Sequence, residues 1–269
     1  MDLDRIQVRT AIFAIALFCA ASTDAPAQGP FNSWSRCTNT RLPAEQRVGY
    51  CKRLLGGGGG PNSEITVLTV LGGLYRNMHQ YPEAIDFYSR AVGYEALGVS
   101  DRREATDAPG SSISLPTSGA LVAALEGRAE VYVLTGKSDL ALADADHIFR
   151  LDPKSANSYA IRCRVRALLK TEFDKAEDDC NAAMKLEPKN TEVLGASGLL
   201  QYQLGHFKDA QSDFDQALSI SPKLAAALYM RGVVELHSGK SAAGNADIAA
   251  ATTEDTTIAG SFSDLGIKP

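Results

Sequence analysis

The chain has 269 residues, 45% of them hydrophobic and 22% charged, which suits a folded chain with a substantial core rather than a disordered one. Its net charge is −5, and its lysines and arginines are scattered rather than gathered into a basic stripe. That balance excludes a function built on contacts to a phosphate backbone, so nucleic acid is not an expected partner.

In chain order, the first element is a secretory signal over residues 1–27. Arg5 and Arg9 precede an apolar run over 11–21, and Ala25-Pro26-Ala27 supplies a small-residue cleavage site before Gln28. The alternative is an uncleaved anchor, but the run is shorter than the roughly 20 residues that cross a bilayer. A lipidated Cys19 is disfavoured by the bulky Phe18 before it. The reading is therefore a periplasmic or secreted protein with no membrane insertion after cleavage. Removing Cys19 leaves Cys37, Cys51, Cys163 and Cys180, an even set in an oxidising compartment.

Residues 28–60 form a small N-terminal element. Cys37 and Cys51 bracket a segment that fits a helical hairpin too small to hold without a covalent tie. The glycine run over 56–60 predicts a flexible joint that separates this element from the remainder of the chain.

From there the chain repeats. An alanine ladder runs Ala84, Ala141, Ala176, Ala210 and, degenerate, Gly244, with last steps of 35, 34 and 34 residues. Tyr81, Ser138, Phe173, Phe207 and Ser241 stand three before it, and Pro153, Pro188 and Pro222 close three units. Upstream lie a column of Leu68, Leu125, Ala160, Leu194 and Leu228 and a small-residue column of Gly72, Ala129, Gly198 and Gly232, broken by Arg164. Between the two stretches sits a turn at His79, Gly136, Thr171, Gly205 or Gly239. Each unit thus reads as two short amphipathic helices joined by a tight turn and crossing at small residues. One unit cannot bury its apolar faces alone, so neighbours must stack.

These columns resemble the tetratricopeptide repeat family, most closely in NTEVLGASGLLQYQLGHFKDAQSDFDQALSISP over 190–222. The resemblance implies an all-α fold, a right-handed α-solenoid of helix-turn-helix repeats. The units are 61–98, 122–156, 157–190, 191–224 and a degenerate capping unit over 225–258, with a loop insertion over 99–121 and a tail over 259–269. WSRCTNTRLPAEQRVGYCKRLL over 34–55 also resembles the opening of exported bacterial members of that family.

In the third unit Cys163 and Cys180 lie equally far from the turn at Thr171 and Glu172, so they should face each other across the hairpin. The expected pairs are Cys163 with Cys180 and Cys37 with Cys51; the alternative for the first is two buried thiols. No Cys-x-x-Cys occurs, and His79, His147, His206 and His237 fall in different units, so neither a metal nor another cofactor is expected. Asp178 and Asp179 point about 100° apart on one helix and read as solvated rather than as a catalytic pair.

In the tetratricopeptide family the first helix of each unit lines a concave groove, and the resemblance implies the same use here. About 100° from the packing columns a second stripe runs Ile161, Val165 and Leu168, then Gly195, Leu199 and Tyr202, then Tyr229, Val233 and Leu236. In the first two units its members are Thr69, Gly73, Arg76 and Glu126, Glu130, Val133. The groove is thus expected to be charged at its N-terminal end and apolar at its C-terminal end, suited to a protein partner's amphipathic helix or extended segment. Arg76 is the single cation on this stripe. Packing between first helices is the competing use of the apolar members, and a self-associating structural protein is the competing function. The chain leaves an enzyme little room.

Overall fold

The computed structural model describes residues 30–57, 61–96 and 117–269. The expected signal segment, most of the glycine run and residues 99–116 of the insertion lie outside them. All regular structure in the described residues is helical. Two short helices, α1 (Pro30–Cys37) and α2 (Ala44–Lys52), precede five antiparallel hairpins: α3 (Pro61–Asn77) with α4 (Tyr81–Ala96), α5 (Thr117–Leu134) with α6 (Ser138–Leu151), α7 (Ala156–Leu169) with α8 (Phe173–Leu186), α9 (Thr191–Gln203) with α10 (Phe207–Ile220), and α11 (Ala225–His237) with α12 (Ser241–Glu254). A last short helix, α13 (Ile258–Asp264), comes after them.

The five hairpins turn by one mechanism. In each, the residue after the turn donates its backbone N–H to a carbonyl five residues back: Gln80 to Tyr75, Lys137 to Tyr132, Thr171 to Arg166, His206 to Gln201 and Lys240 to Glu235. This bond ends a helix through one residue in the left-handed region, which glycine adopts most easily. Gly136, Gly205 and Gly239 hold φ of 70°, 79° and 79° there. The first unit places His79 in that position at φ 56°, and the third uses Lys170 at 53° and Glu172 at 50°.

Each hairpin is held at its crossing. In the fourth unit a methyl group on Gly198 would sit 2.8 Å from the Phe214 ring, so the glycine is what admits the ring. In the fifth unit Gly232 and Gly244 bring the two backbones together, since a methyl on either would lie 2.8 or 2.7 Å from the other's carbonyl oxygen. Gly244 is therefore a close-approach residue and not mere degeneracy. The third unit has Cys180 where the fourth has Phe214, and the smaller side chain leaves room for Arg164 in the small-residue column.

Each first helix packs on the first helix of the next unit as well as on the second helix before it, while successive second helices make no comparable contact. First helices crowded on one side and second helices splayed on the other give a solenoid whose first-helix face is the inner one.

Two arrangements differ from the sequence reading. The N-terminal element is not held apart from the solenoid: α2 packs on α3, and Cys37 and Cys51 share a core with Ile65, Leu68 and Leu71. Lys52 also lies over the Tyr75 and Phe87 rings, at 5.4 and 5.9 Å. Residues 259–269 are not a loose tail either. Phe262 and Gly266 continue the Leu228 and Gly232 columns at the same 34-residue step, Ile267 is buried, and its N–H donates to the Phe262 carbonyl as at the other five turns. Residues Ile258–Asp264 therefore stand where the first helix of a sixth unit would lie.

Candidate partner-binding groove

The inner face is lined by α3, α5, α7, α9 and α11. Its N-terminal half carries alternating charge. Arg76 of α3 pairs with Glu130 of α5, and Arg164 of α7 reaches both Glu126 of α5 and Glu192 of α9, the latter at 3.5 Å. Burial works against the charge on both arginines, but the surrounding glutamates outweigh it and hold each guanidinium above its ordinary pKa. Tyr88 reaches this region from α4 and fits against Gly72 and Gly127. Burial, with Glu130 and Glu126 adding and Arg76 opposing, pushes its hydroxyl up to about 12. Arg76 is thus not the only cation on this face; Arg164 was legible only as a break in the small-residue column.

The C-terminal half is aromatic. The Tyr202 hydroxyl lies 3.3 Å from Nε2 of His237, whose ring stacks on Phe207 with centroids 5.4 Å apart. Tyr229 stacks on Phe262 of α13 at 4.9 Å and 8°. Beside Phe262 a cavity of about 110 Å³ is lined by Arg164, Leu199, Phe214 and Met230 among others.

Burial corrects the expected apolar stripe. Ile161, Val165, Leu199, Tyr229 and Val233 are at most 7% exposed, so a partner cannot reach them. Ile161 and Val165 belong to a core with Leu121, Leu125 and Ile148, while Leu199 and Val233 join the core of the last three units. They seal the seams between first helices, because a residue 100° from one packing column is still within reach of the neighbouring helix. Leu168, Tyr202 and Leu236 remain half-exposed, and Gly195 borders the cavity beside Phe262.

A second ladder went unread in the sequence. Three residues after each ladder alanine from the second unit onward stands an aspartate: Asp144, Asp179, Asp213 and Asp247. Each bonds back to a first helix sixteen or seventeen residues earlier. Arg128 grips Asp144 through two nitrogens at 2.8 and 2.7 Å, Arg162 grips Asp179 at 2.9 and 2.6 Å, and Arg231 grips Asp247 at 2.6 and 3.0 Å. Such forked pairs are strong and geometrically specific. Asp179, read as solvated, is 4% exposed and also bonded by Arg166; only Asp178 faces solvent. In the fourth unit Ser197 replaces the arginine and donates to Asp213 at 2.7 Å.

The cysteines come together in two close pairs, with Cα separations of 4.9 Å for Cys37 and Cys51 and 5.5 Å for Cys163 and Cys180, inside the range a disulfide spans. Among the described residues no group of His, Cys, Asp and Glu is placed to hold a metal ion, and no helix is long and apolar enough to cross a membrane. His79, His206 and His237 are exposed and far apart in sequence, and His147 is half-buried on α6.

The pattern of the tetratricopeptide repeat family matches residues 191–224, the fourth hairpin. Among solved structures, a thermophilic tetratricopeptide protein of Thermus thermophilus is similar over 75% of this chain and 97% of its own, at 15% identity and a TM-score of 0.54. The chain has the fold of a tetratricopeptide-repeat solenoid. The Cut9–Hcn1 hetero-tetramer of the APC/C is similar over 90% of this chain and 43% of its own, at 13% identity and a TM-score of 0.56. At these identities the likeness concerns the fold alone. No curated protein matches the sequence significantly.

Proposed function

We propose that this tetratricopeptide-repeat protein is a non-catalytic scaffold that holds a segment of another protein on its inner face, in the periplasm or outside the cell. The observation that carries the reading is the division of that face into a charged half, built by Arg76, Glu126, Glu130, Arg164 and Glu192, and an aromatic half, presented by Tyr202 and His237. An amphipathic partner helix with charge at one end and apolar side chains at the other complements it. Export is supported by the N-terminal sequence and by the two close cysteine pairs, which we propose are disulfides formed in an oxidising compartment.

The test is photocrosslinking in the cell of origin, with a photoreactive amino acid at Tyr202 or Leu236 and, as control, at exposed Leu140 on α6. The scaffold reading expects one heterologous exported protein at the inner positions and none at Leu140. Equal labelling at all three rejects the inner face. Glutamate at Leu199 or Tyr229 would report on folding and not on binding, since both are buried. A second reading, self-association through the outer side, is favoured by exposed Leu151, Leu186 and Ile220, which recur at the ends of three successive second helices. A concentration-independent monomer in light scattering rejects it.

A further inference from the structure

The two ends of the solenoid meet. α13 stacks on α11 as a sixth first helix, and its far side faces the first unit: Asp264 Oδ2 lies 3.2 Å from His79 Nδ1, in the turn between α3 and α4. Between them lies a cavity of about 240 Å³ bordered by Arg76, Glu130, Ser261 and Asp264. The inner face therefore curls until its first and last members touch across its mouth.

Two observations show what kind of contact this is. It is slight compared with the hold of α13 on its own end of the solenoid: Ile258 and Ile267 are buried there and Phe262 is stacked, whereas the His79 and Asp264 side chains are 61% and 33% exposed. And His79 occupies a left-handed position at which Gly136, Gly205 and Gly239 stand in three of the other four turns. Strain held by a non-glycine residue, where glycine would carry none, points to use of its side chain. The Tyr81 hydroxyl, its ring set edge-on to the imidazole, lies 3.1 Å from the same Nδ1 and shares that nitrogen with Asp264.

We propose that His79 and Asp264 form a clasp that closes the mouth of the inner groove, and that a partner segment enters when the clasp parts and the first unit swings away from α13. The partner half of this statement rests on the scaffold reading above; the clasp itself does not. Opening would expose the half-buried residues of the groove, Leu168, Tyr202 and Leu236, without disturbing the seams formed by Ile161, Val165 and Leu199.

The experiment measures the end-to-end distance in the full chain by pulsed electron resonance, with spin labels coupled to p-acetylphenylalanine at exposed Glu83 and Lys268, which leaves the cysteines untouched. Wild type is expected to give one narrow distance. Asp264→Arg should broaden it and lengthen it by about a helix diameter, ~10 Å. His79→Gly should do the same while relieving the turn, so its opening cannot be assigned to misfolding. The double variant His79→Glu with Asp264→Arg should restore the narrow distance. A broad wild-type distribution, single variants that leave the distance unchanged, or singles that open without rescue by the double variant each overturn the clasp. Crosslinking at Tyr202 in the same variants separates the two claims. A several-fold gain with opening supports entry through the mouth, an unchanged yield overturns that route, and no heterologous crosslink in closed or open forms removes the partner reading and leaves the clasp standing.

Discussion

The third and fourth hairpins share one backbone plan and hold it together by different chemistry. In the fourth, Phe214 fills the crossing against Gly198, and the polar link is one hydroxyl-to-carboxylate bond from Ser197 to Asp213. In the third, Cys180 replaces the ring and meets Cys163, Arg162 and Arg166 both bind Asp179, and a freed crossing lets Arg164 reach the inner face. An aromatic plug gives its hairpin a core and no reach. A small cysteine pair leaves the other room for a charged arm on the inner face. The repeat constrains the crossing distance and not the means of meeting it.

Four measurements bear on this contrast, from the largest effect to the smallest. Phe214→Ala should destabilise the chain by about 3–5 kcal/mol in urea unfolding, because it empties a fully buried ring site facing a glycine that cannot refill it. A loss under about 1 kcal/mol would mean that the ring is not the plug. Reducing the Cys163–Cys180 pair, or replacing both by alanine, should cost about 3 kcal/mol in the chain-entropy model. Hydrogen exchange should then quicken in α7 and α8 before α9 and α10. Equal quickening in all four helices would deny the pair a local role.

Gly198→Ala comes next, at about 1–3 kcal/mol of overpacking against the Phe214 ring. The matched change in the third unit, Arg164→Ala, should cost far less because no ring stands opposite. Similar costs at both positions would erase the contrast between the two hairpins.

The smallest effect is electrostatic. Burial raises the Asp213 pKa, with Asp209 adding and the Ser197 bond opposing. A carboxyl whose folded pKa lies above its unfolded value binds its proton more tightly when folded. It therefore leaves stability untouched at low pH and reduces it as pH rises from the ordinary aspartate range through the raised pKa. Ser197→Arg copies the Arg128–Asp144 arrangement and should remove that loss, by about 1 kcal/mol or less at neutral pH. A larger loss in the variant would show that the fork does not fit beside Phe214.

Much of the fold could be read from the chain because period, turn and crossing columns each constrain a backbone. The alanine ladder located the hairpins, and the turn column located the turns in which His79 and three glycines take left-handed backbone. The same 34-residue step reaches Phe262 and Gly266, so α13 was legible in the repeat. The inner face was harder. An apolar residue beside a seam looks the same in sequence as one in a groove, which is why Ile161, Val165, Leu199, Tyr229 and Val233 were misplaced while Leu168, Tyr202 and Leu236 stayed accessible. The Arg–Asp ladder escaped notice for a related reason: each member reads as an ordinary surface charge until a partner sixteen or seventeen residues away is considered with it. The packing of α2 onto α3 was overlooked because five glycines allow a flexible joint without requiring one.

The most direct test of the scaffold account is amide hydrogen exchange on the chain alone and in complex with the protein captured at Tyr202 or Leu236. The account expects new protection in the first helices α5, α7, α9 and α11, with α6, α8 and α10 unchanged. Protection confined to the second helices, around Leu151, Leu186 and Ile220, would contradict it and move the binding surface to the outside of the solenoid.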